Sequence, residues 1–237
     1  MSKVRPNLSS DSLFYFTSKI EYLIDILRNG FQARYNYETI PNINLPLAIP
    51  MKCFCDIPLG LSKKHISTYG DFGIGISKEF AMKNGITPLI YVHKDSDTLV
   101  KYINEILNST DNDNSESIIA YFKKYEEYET KNKKIKIRYY DEREWRYIPP
   151  DVDVEPLNKI KSEDGRKNFV TKLNEKLPKD KYRLKLDSDD IRYIIVRDDD
   201  SIPNVIDTIE NEKWLSKTNF KLLLTKFLTK KQIINDF

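Results

Sequence analysis

Residues 12–30 read SLFYFTSKIEYLIDILRNG, a strand period and a helical period joined without a loop. Ser12 to Thr17 is predicted as a strand, since aromatic and β-branched residues suit a pleated, half-buried surface. Ile20, Leu23, Ile24 and Leu27 then recur at helical spacing, which predicts a helix from about Lys19 to Asn29. Ser18 and Glu21 stand in capping-box register, and Gly30 falls where a helix needs a left-handed residue to end. A strand that hands its end directly to a helix N-terminus belongs to folds that mix the two periods.

The mixing continues along the chain without regular alternation. A loop rich in Pro and Asn is expected over residues 36–50, followed by an apolar strand around Met51 to Ile57, Pro58, and a short helix containing His65 and Tyr69. In YGDFGIGIS, Gly70, Gly73 and Gly75 predict a turn entering a strand, with Ser77 capping a helix that ends before Gly85. Pro88 to His93 is a further strand. Residues 97–125 read as helical, interrupted by STDNDNSES, and YEEYETKNKKIK reads as a solvated connection, so that 97–134 forms a charged insertion. IKIRYYDEREWRYIPP is β-rich, and after a mostly polar segment Tyr182–Leu186 and Ile191–Val196 are strand candidates. Pro203 begins a helix, and the tail from Trp214 to Phe237 carries two more, the second opened by Thr229 with Gln232 in capping-box register. The expected class is therefore α+β: a mixed, mostly antiparallel sheet flanked by helices, in one domain over 1–237 that ends in C-terminal helices from 203.

Of the 237 residues, 40% are hydrophobic and 32% charged, enough for a core and a solvated surface. Thirty-nine Lys and Arg against 36 Asp and Glu leave a net charge of +3, too near balance to mark a nucleic-acid binder by charge alone. Lys123, Lys124 and the group from Lys131 to Lys136 are interleaved with glutamates and read as a solvated face. No apolar run is long enough to span a bilayer and MSKVRPNLSSDS lacks the apolar centre of a signal peptide, so a cytoplasmic protein is expected. Cys53 and Cys55 alternate in a predicted strand and share a face, which makes them core thiols and not a disulfide. A zinc site would need two more ligands from His65, His93 or carboxylates, and the paired spacings of such sites are missing.

Three clusters could carry chemistry. The end of the first strand meets a helix N-terminus, where backbone N–H groups could hold a phosphate near Tyr15 and Thr17; a capped strand–helix turn explains the same residues. Between Cys53 and Gly75 lie Asp56, His65 and Tyr69, the last two four apart on one helical face, so that His65 is a general base, a pyrophosphate donor or a packed core residue. In DEREWRY, strand alternation sends Glu142, Glu144 and Arg146 to one face. A carboxylate there, flanked by Arg and Trp, could bind a ribose hydroxyl and steady an oxocarbenium-like charge; cross-strand ion pairing is the plainer account.

Taken in order, SLFYFTSKIEYLIDILRNGF, PMKCFCDIPL with KHISTYGDFGIGISKE, PLIYV and DEREWRYIP resemble the AbiGi family, over roughly residues 12–150 and more diffusely from IRYIIV to QIINDF. That resemblance implies abortive phage resistance and an antitoxin-like component, hence a toxin, antitoxin or phage-protein partner, and no defined reaction. The opening is also similar to DarT-like ADP-ribosyltransferase domains, which implies an ADP-ribosyltransferase-like fold and NAD as cofactor. On that likeness Glu144 is the catalytic carboxylate, Glu142 completes a Glu-x-Glu pattern, and Tyr69 stacks on an aromatic ring. Tyr15 occupies the first-strand position where those enzymes have His or Arg, with His65 or Arg34 to compensate. Two functions stand side by side: an ADP-ribosyltransferase-like effector, and a non-catalytic antitoxin or sensor that holds a protein partner through residues 109–134.

Overall fold

The computed structural model describes residues 9–40, 43–93, 95–107, 115–128, 136–210 and 216–236. In chain order the first half contains β1 (Ser12–Thr17), α1 (Ile20–Asn29), β2 (Phe31–Gln32), β3 (Arg34–Ile40), β4 (Ile43–Cys55), α2 (Lys63–Tyr69), β5 (Phe72–Ser77), α3 (Lys78–Lys83), β6 (Thr87–Pro88), β7 (Ile90–Val92) and α4 (Asp97–Leu107). The second half continues with β8 (Phe122–Lys124), β9 (Glu126–Tyr128), β10 (Lys136–Arg138), β11 (Glu144–Tyr147), β12 (Glu155–Pro156), α5 (Glu163–Lys176), β13 (Arg183–Leu184), β14 (Ile191–Val196), α6 (Ser201–Ile209), α7 (Lys217–Leu224), β15 (Phe227–Thr229) and α8 (Lys230–Asp236). The class is α+β, with mostly antiparallel pairing and parallel exceptions at β14–β15 and β7–β8. The chain divides into two compact units, Met1–Phe31 with Phe54–Gly85 and Arg183–Phe237, and Gln32–Cys53 with Ile86–Tyr182.

In the first unit β5 lies between β1 and β14, antiparallel to both, and β15 extends the row in parallel to β14. The glycines of FGIGIS make this close packing work. A Cβ on Gly75 would meet the Tyr193 ring at 2.8 Å and the Phe14 ring at 2.9 Å; without it, those two rings close over the strand with centroids 5.7 Å apart. The turn before β5 is tighter still. Gly70 has φ 128°, and a Cβ there would sit 2.3 Å from the Thr17 carbonyl and the Ser18 nitrogen. Phe14 and Phe16 then pack with Ile57, Ile66, Ile195 and Ile233, which joins β1, α2, β14 and α8 in one core.

Capping differs between the first and last helices. α1 starts at Ile20, with Lys19 still extended (φ −121°, ψ 133°) and no side-chain cap, so the expected Ser18–Glu21 box does not form. The extended backbone runs one residue further than anticipated and leaves Ser18 a position too early. Gly30 ends the helix with positive φ as expected. Ser77 caps α3 by accepting from the Phe80 N–H at 3.1 Å. Thr229 and Gln232 complete the box at α8, the Thr229 N–H donating to Gln232 Oε1 at 2.8 Å and the Gln232 N–H to Thr229 Oγ1 at 3.2 Å. Trp214, the expected start of the tail helices, lies outside the described residues; β15 intervenes between the two helices.

In the second unit the loop expected over residues 36–50 is replaced by two paired strands, β3 and β4. β3 pairs antiparallel with β4 from Arg34↔Met51 to Ile40↔Ile43, and β12 lies along the other side of β4 at Glu155↔Ala48. β4 sends Ile43, Leu47, Ile49 and Met51 into a core with Val92, Val100, Ile103, Ile119 and Phe122, and Ala48 into another with Tyr35, Leu157 and Val170. Residues of the expected insertion thus supply core side chains from α4 and β8; its stretches 108–114 and 129–135 lie outside the described residues. Pro50 is tolerated because Tyr35 opposite turns its own N–H and carbonyl outward. Both meet the side-chain amide of Asn174 on α5, at 2.8 and 2.9 Å. α5 itself falls in the segment expected to be merely polar, since Val170 is its one buried residue.

Candidate functional site

The second unit holds a cluster of five charged side chains. Glu144 and Arg146 alternate along β11 and both turn inward. Arg146 is 0% exposed. Its Nε donates to Glu144 Oε1 at 2.6 Å, its Nη1 to the Ala120 carbonyl at 2.7 Å and its Nη2 to Glu38 Oε1 at 2.9 Å. The ammonium of Lys123 donates to Glu144 Oε2 and, at 2.8 Å, to Glu142 Oε2. The Glu144 N–H donates to the Tyr91 hydroxyl at 2.8 Å.

Glu142 arrives by a route that alternation did not foresee. Residues Tyr139–Glu142 form a 3-10 turn, and Arg143 then takes a left-handed conformation (φ 45°, ψ 51°) before β11 begins. Glu142 is therefore off the strand, and the expected common strand face of Glu142, Glu144 and Arg146 holds for the last two alone. The reversal at Arg143 still brings Glu142 to the same lysine as Glu144.

Burial would raise the Glu144 carboxyl, but Arg146 and Lys123 outweigh it and hold it at about 2. At neutral pH it is a fixed anion. Burial pushes the Glu38 carboxyl up, against the pull of Arg146, and pushes the Cys53 thiol up as well, with Glu144 adding to the effect. Burial also disfavours the charge on Lys123, but Glu144 and Glu142 more than offset it and its pKa is raised. Each oxygen of Glu144 carries a cationic donor and the residue is 6% exposed. This is the arrangement of an internal ion network, in which removing one member would strand the others. Glu38 and Tyr91 had no mark in the sequence, and Lys123, expected on a solvated face, is instead drawn into the network by Glu142 and Glu144.

The other sequence-derived positions fall elsewhere. Arg34 is exposed on β3 and reaches the Asn174 carbonyl at 3.4 Å, not the cluster. In the first unit Tyr15 packs edge-on against Phe31 at 5.8 Å, and Thr17 is buried beneath Gly70. His65 and Tyr69 do share a face of α2, with rings 5.4 Å apart; His65 is buried and Tyr69 is 45% exposed. Asp56 is occupied separately, accepting from Ser9 Oγ at 2.8 Å, the Ser10 N–H at 3.0 Å and Lys78 Nζ at 2.8 Å. A polar cavity of about 360 Å³ beside Lys83, Asp190, Arg192 and Lys226 includes none of these positions. Among the described residues no group of three or more His, Cys, Asp or Glu side chains could hold a metal ion, and no helix is long and apolar enough to cross a membrane.

Known sequences place the chain among phage-defence proteins. Residues 32–197 match the family described as "Putative abortive phage resistance protein AbiGi, antitoxin", and the chain belongs to the AbiGi family. The abortive phage resistance protein AbiGi of Lactococcus lactis subsp. cremoris is 29% identical over 250 residues, an alignment that covers 88% of this chain and 100% of that protein. No solved structure matches, so no structural neighbour supports an ADP-ribosyltransferase-like fold.

Proposed function

We propose that the protein is a phage-defence antitoxin that works by holding a protein toxin, without NAD-dependent chemistry at Glu144. The observation that carries this reading is the state of that carboxylate. A group that steadies a developing oxocarbenium charge, or binds a ribose hydroxyl, needs an open oxygen facing the substrate. Here Arg146 holds one oxygen and Lys123 the other, so substrate could enter only by dismantling the ion network. The family description names an antitoxin, and an antitoxin implies a toxin as its partner.

The test is co-expression with candidate toxins from the same defence locus. Growth rescue and co-purification of a complex are expected, and both are retained by Glu144→Gln. Purified protein should show no thermal shift with NAD or ADP-ribose, because a ligand that binds the native state raises apparent stability by mass action. NAD-dependent label transfer onto bacterial extract, lost in Glu144→Gln, would sink the proposal.

A further inference from the structure

The polar cavity of the first unit lies apart from the ion network, and one lysine in its wall is held unlike the others. Glu79 and Lys83 reach it from α3, Asp189 and Asp190 from the turn before β14, Arg192 from β14, and Lys226 from the entry to β15. Elsewhere Lys78 is paired with Asp56 at 2.8 Å, Lys230 with Asp71 at 2.6 Å, and Lys123 with Glu144, so that each is fixed as an ammonium by a carboxylate. Lys226 is half-buried, and its Nζ donates instead to two backbone carbonyls, that of Ser188 at 2.8 Å and that of Ile191 at 2.6 Å. Among the described residues no carboxylate forms an ion pair with it.

The difference matters for chemistry. Backbone carbonyls carry no net charge, so they accept from a neutral amine through the same two N–H groups that they would take from an ammonium. The remaining direction on Nζ then holds either the third proton or, once that proton has left, the lone pair. Burial lowers the Lys226 pKa from its ordinary 10.5 and Arg192 lowers it too, against the pull of Asp189 and Asp190. A lysine drawn from water and set beside another cation is available as a nucleophilic amine. Its backbone is also fixed: the Lys226 N–H donates to the Leu223 carbonyl at 3.0 Å, and its carbonyl accepts from the Ile194 N–H at 2.8 Å.

We propose that Lys226 is a carbonyl-reactive lysine that captures a small polar aldehyde from this cavity as an imine. The Nζ lone pair forms the C–N bond while the carbonyl π pair moves to oxygen; the oxygen then leaves as water, carrying both amine protons, and the C=N bond forms. With one proton taken up from solvent, the protonated imine keeps one N–H for a backbone carbonyl. A volume of about 360 Å³ lies near the lower end of ligand pockets and confines the reactant to a small molecule, and the charged walls favour a polar one. The inference does not depend on the antitoxin reading.

Incubation of the full chain with pyridoxal phosphate, or with uncharged propionaldehyde in a separate arm, followed by cyanoborohydride reduction and peptide mass mapping, tests it. Lys83 lines the same cavity and is exposed, so it serves as the internal reference. Near neutral pH Lys226 should be modified at least about fivefold faster than Lys83. Its rate should rise with pH through a midpoint below 10.5. Arg192→Ser should slow the Lys226 reaction about twofold, because a neighbouring cation keeps the amine uncharged. Lys226→Arg, which still offers two N–H donors to the carbonyls, should remove that label and leave the Lys83 rate unchanged. A Lys226 to Lys83 ratio higher with pyridoxal phosphate supports the proposal and assigns an anionic aldehyde; a ratio higher with propionaldehyde supports it and assigns an uncharged one. Equal modification of the two lysines, or protection of Lys226, overturns the proposal and leaves the two carbonyl bonds as a structural tie between β15 and the turn before β14.

Discussion

The two units hold their polar residues by opposite means. In the first, shape decides: Gly70, Gly73 and Gly75 leave room for backbone and rings that no side chain could share, and the polar residues of that stretch sit around apolar packing. In the second, charge decides: a fully buried arginine ties β11 to Glu38 and the Ala120 carbonyl, and works only while each partner stays in place. The contrast teaches that a dense set of special-purpose residues has two structural explanations. Glycine spacing signals close approach, and alternating opposite charges on a strand signal an internal network.

The contrast can be broken at its ends. Arg146→Ala strands Glu38 and Glu144 inside the second unit, and should cost about 4 kcal/mol in chemical denaturation. Gly70→Ala puts a methyl against the Thr17–Ser18 backbone at a φ that other residues rarely adopt, and should cost more than about 3 kcal/mol. If Gly70→Ala were tolerated, shape would not be what holds the first unit. The smaller effect is acid sensitivity. The folded pKa of Glu144 lies below its ordinary 4.5, so it adds stability that is complete above that value and is lost as pH falls toward about 2. That loss amounts to as much as about 3 kcal/mol. Glu38, raised, has the opposite slope, favouring the fold below its ordinary value and losing that contribution as pH rises through its folded one. Glu144→Gln should flatten the stability profile between pH 4.5 and 2; an unchanged profile would show that the acid response lies outside the cluster.

Much of the first unit was legible because each signal was local. β1, β5 and β14 follow from short apolar runs, α3 from Ser77, and the α8 cap from Thr229 and Gln232. The second unit was harder to read. Pro46 and Pro50 disguised β4, although Leu47, Ile49 and Met51 alternate as a strand should. α5 carries only a narrow apolar face, Val170 and Leu173, within a run of charged residues, and Asn174 adds a pair of hydrogen bonds to Tyr35. Of the cluster, Glu142, Glu144 and Arg146 were visible as a pattern. Lys123 and Glu38 were not, because a charge bound for the interior has the same letter as one on the surface, and only the tertiary partner distinguishes them.

The asparagine on α5 has a consequence for the chain as a solute. Its amide offers Tyr35 one acceptor and one donor, as a neighbouring strand would, and so imitates the next rung of a ladder while belonging to a helix. A growing sheet finds its template already answered at that rung. An exposed strand edge invites pairing with another molecule, and this one is closed by a side chain that can go no further. At this rung the edge of β3 is thereby closed to pairing with a second copy of the chain.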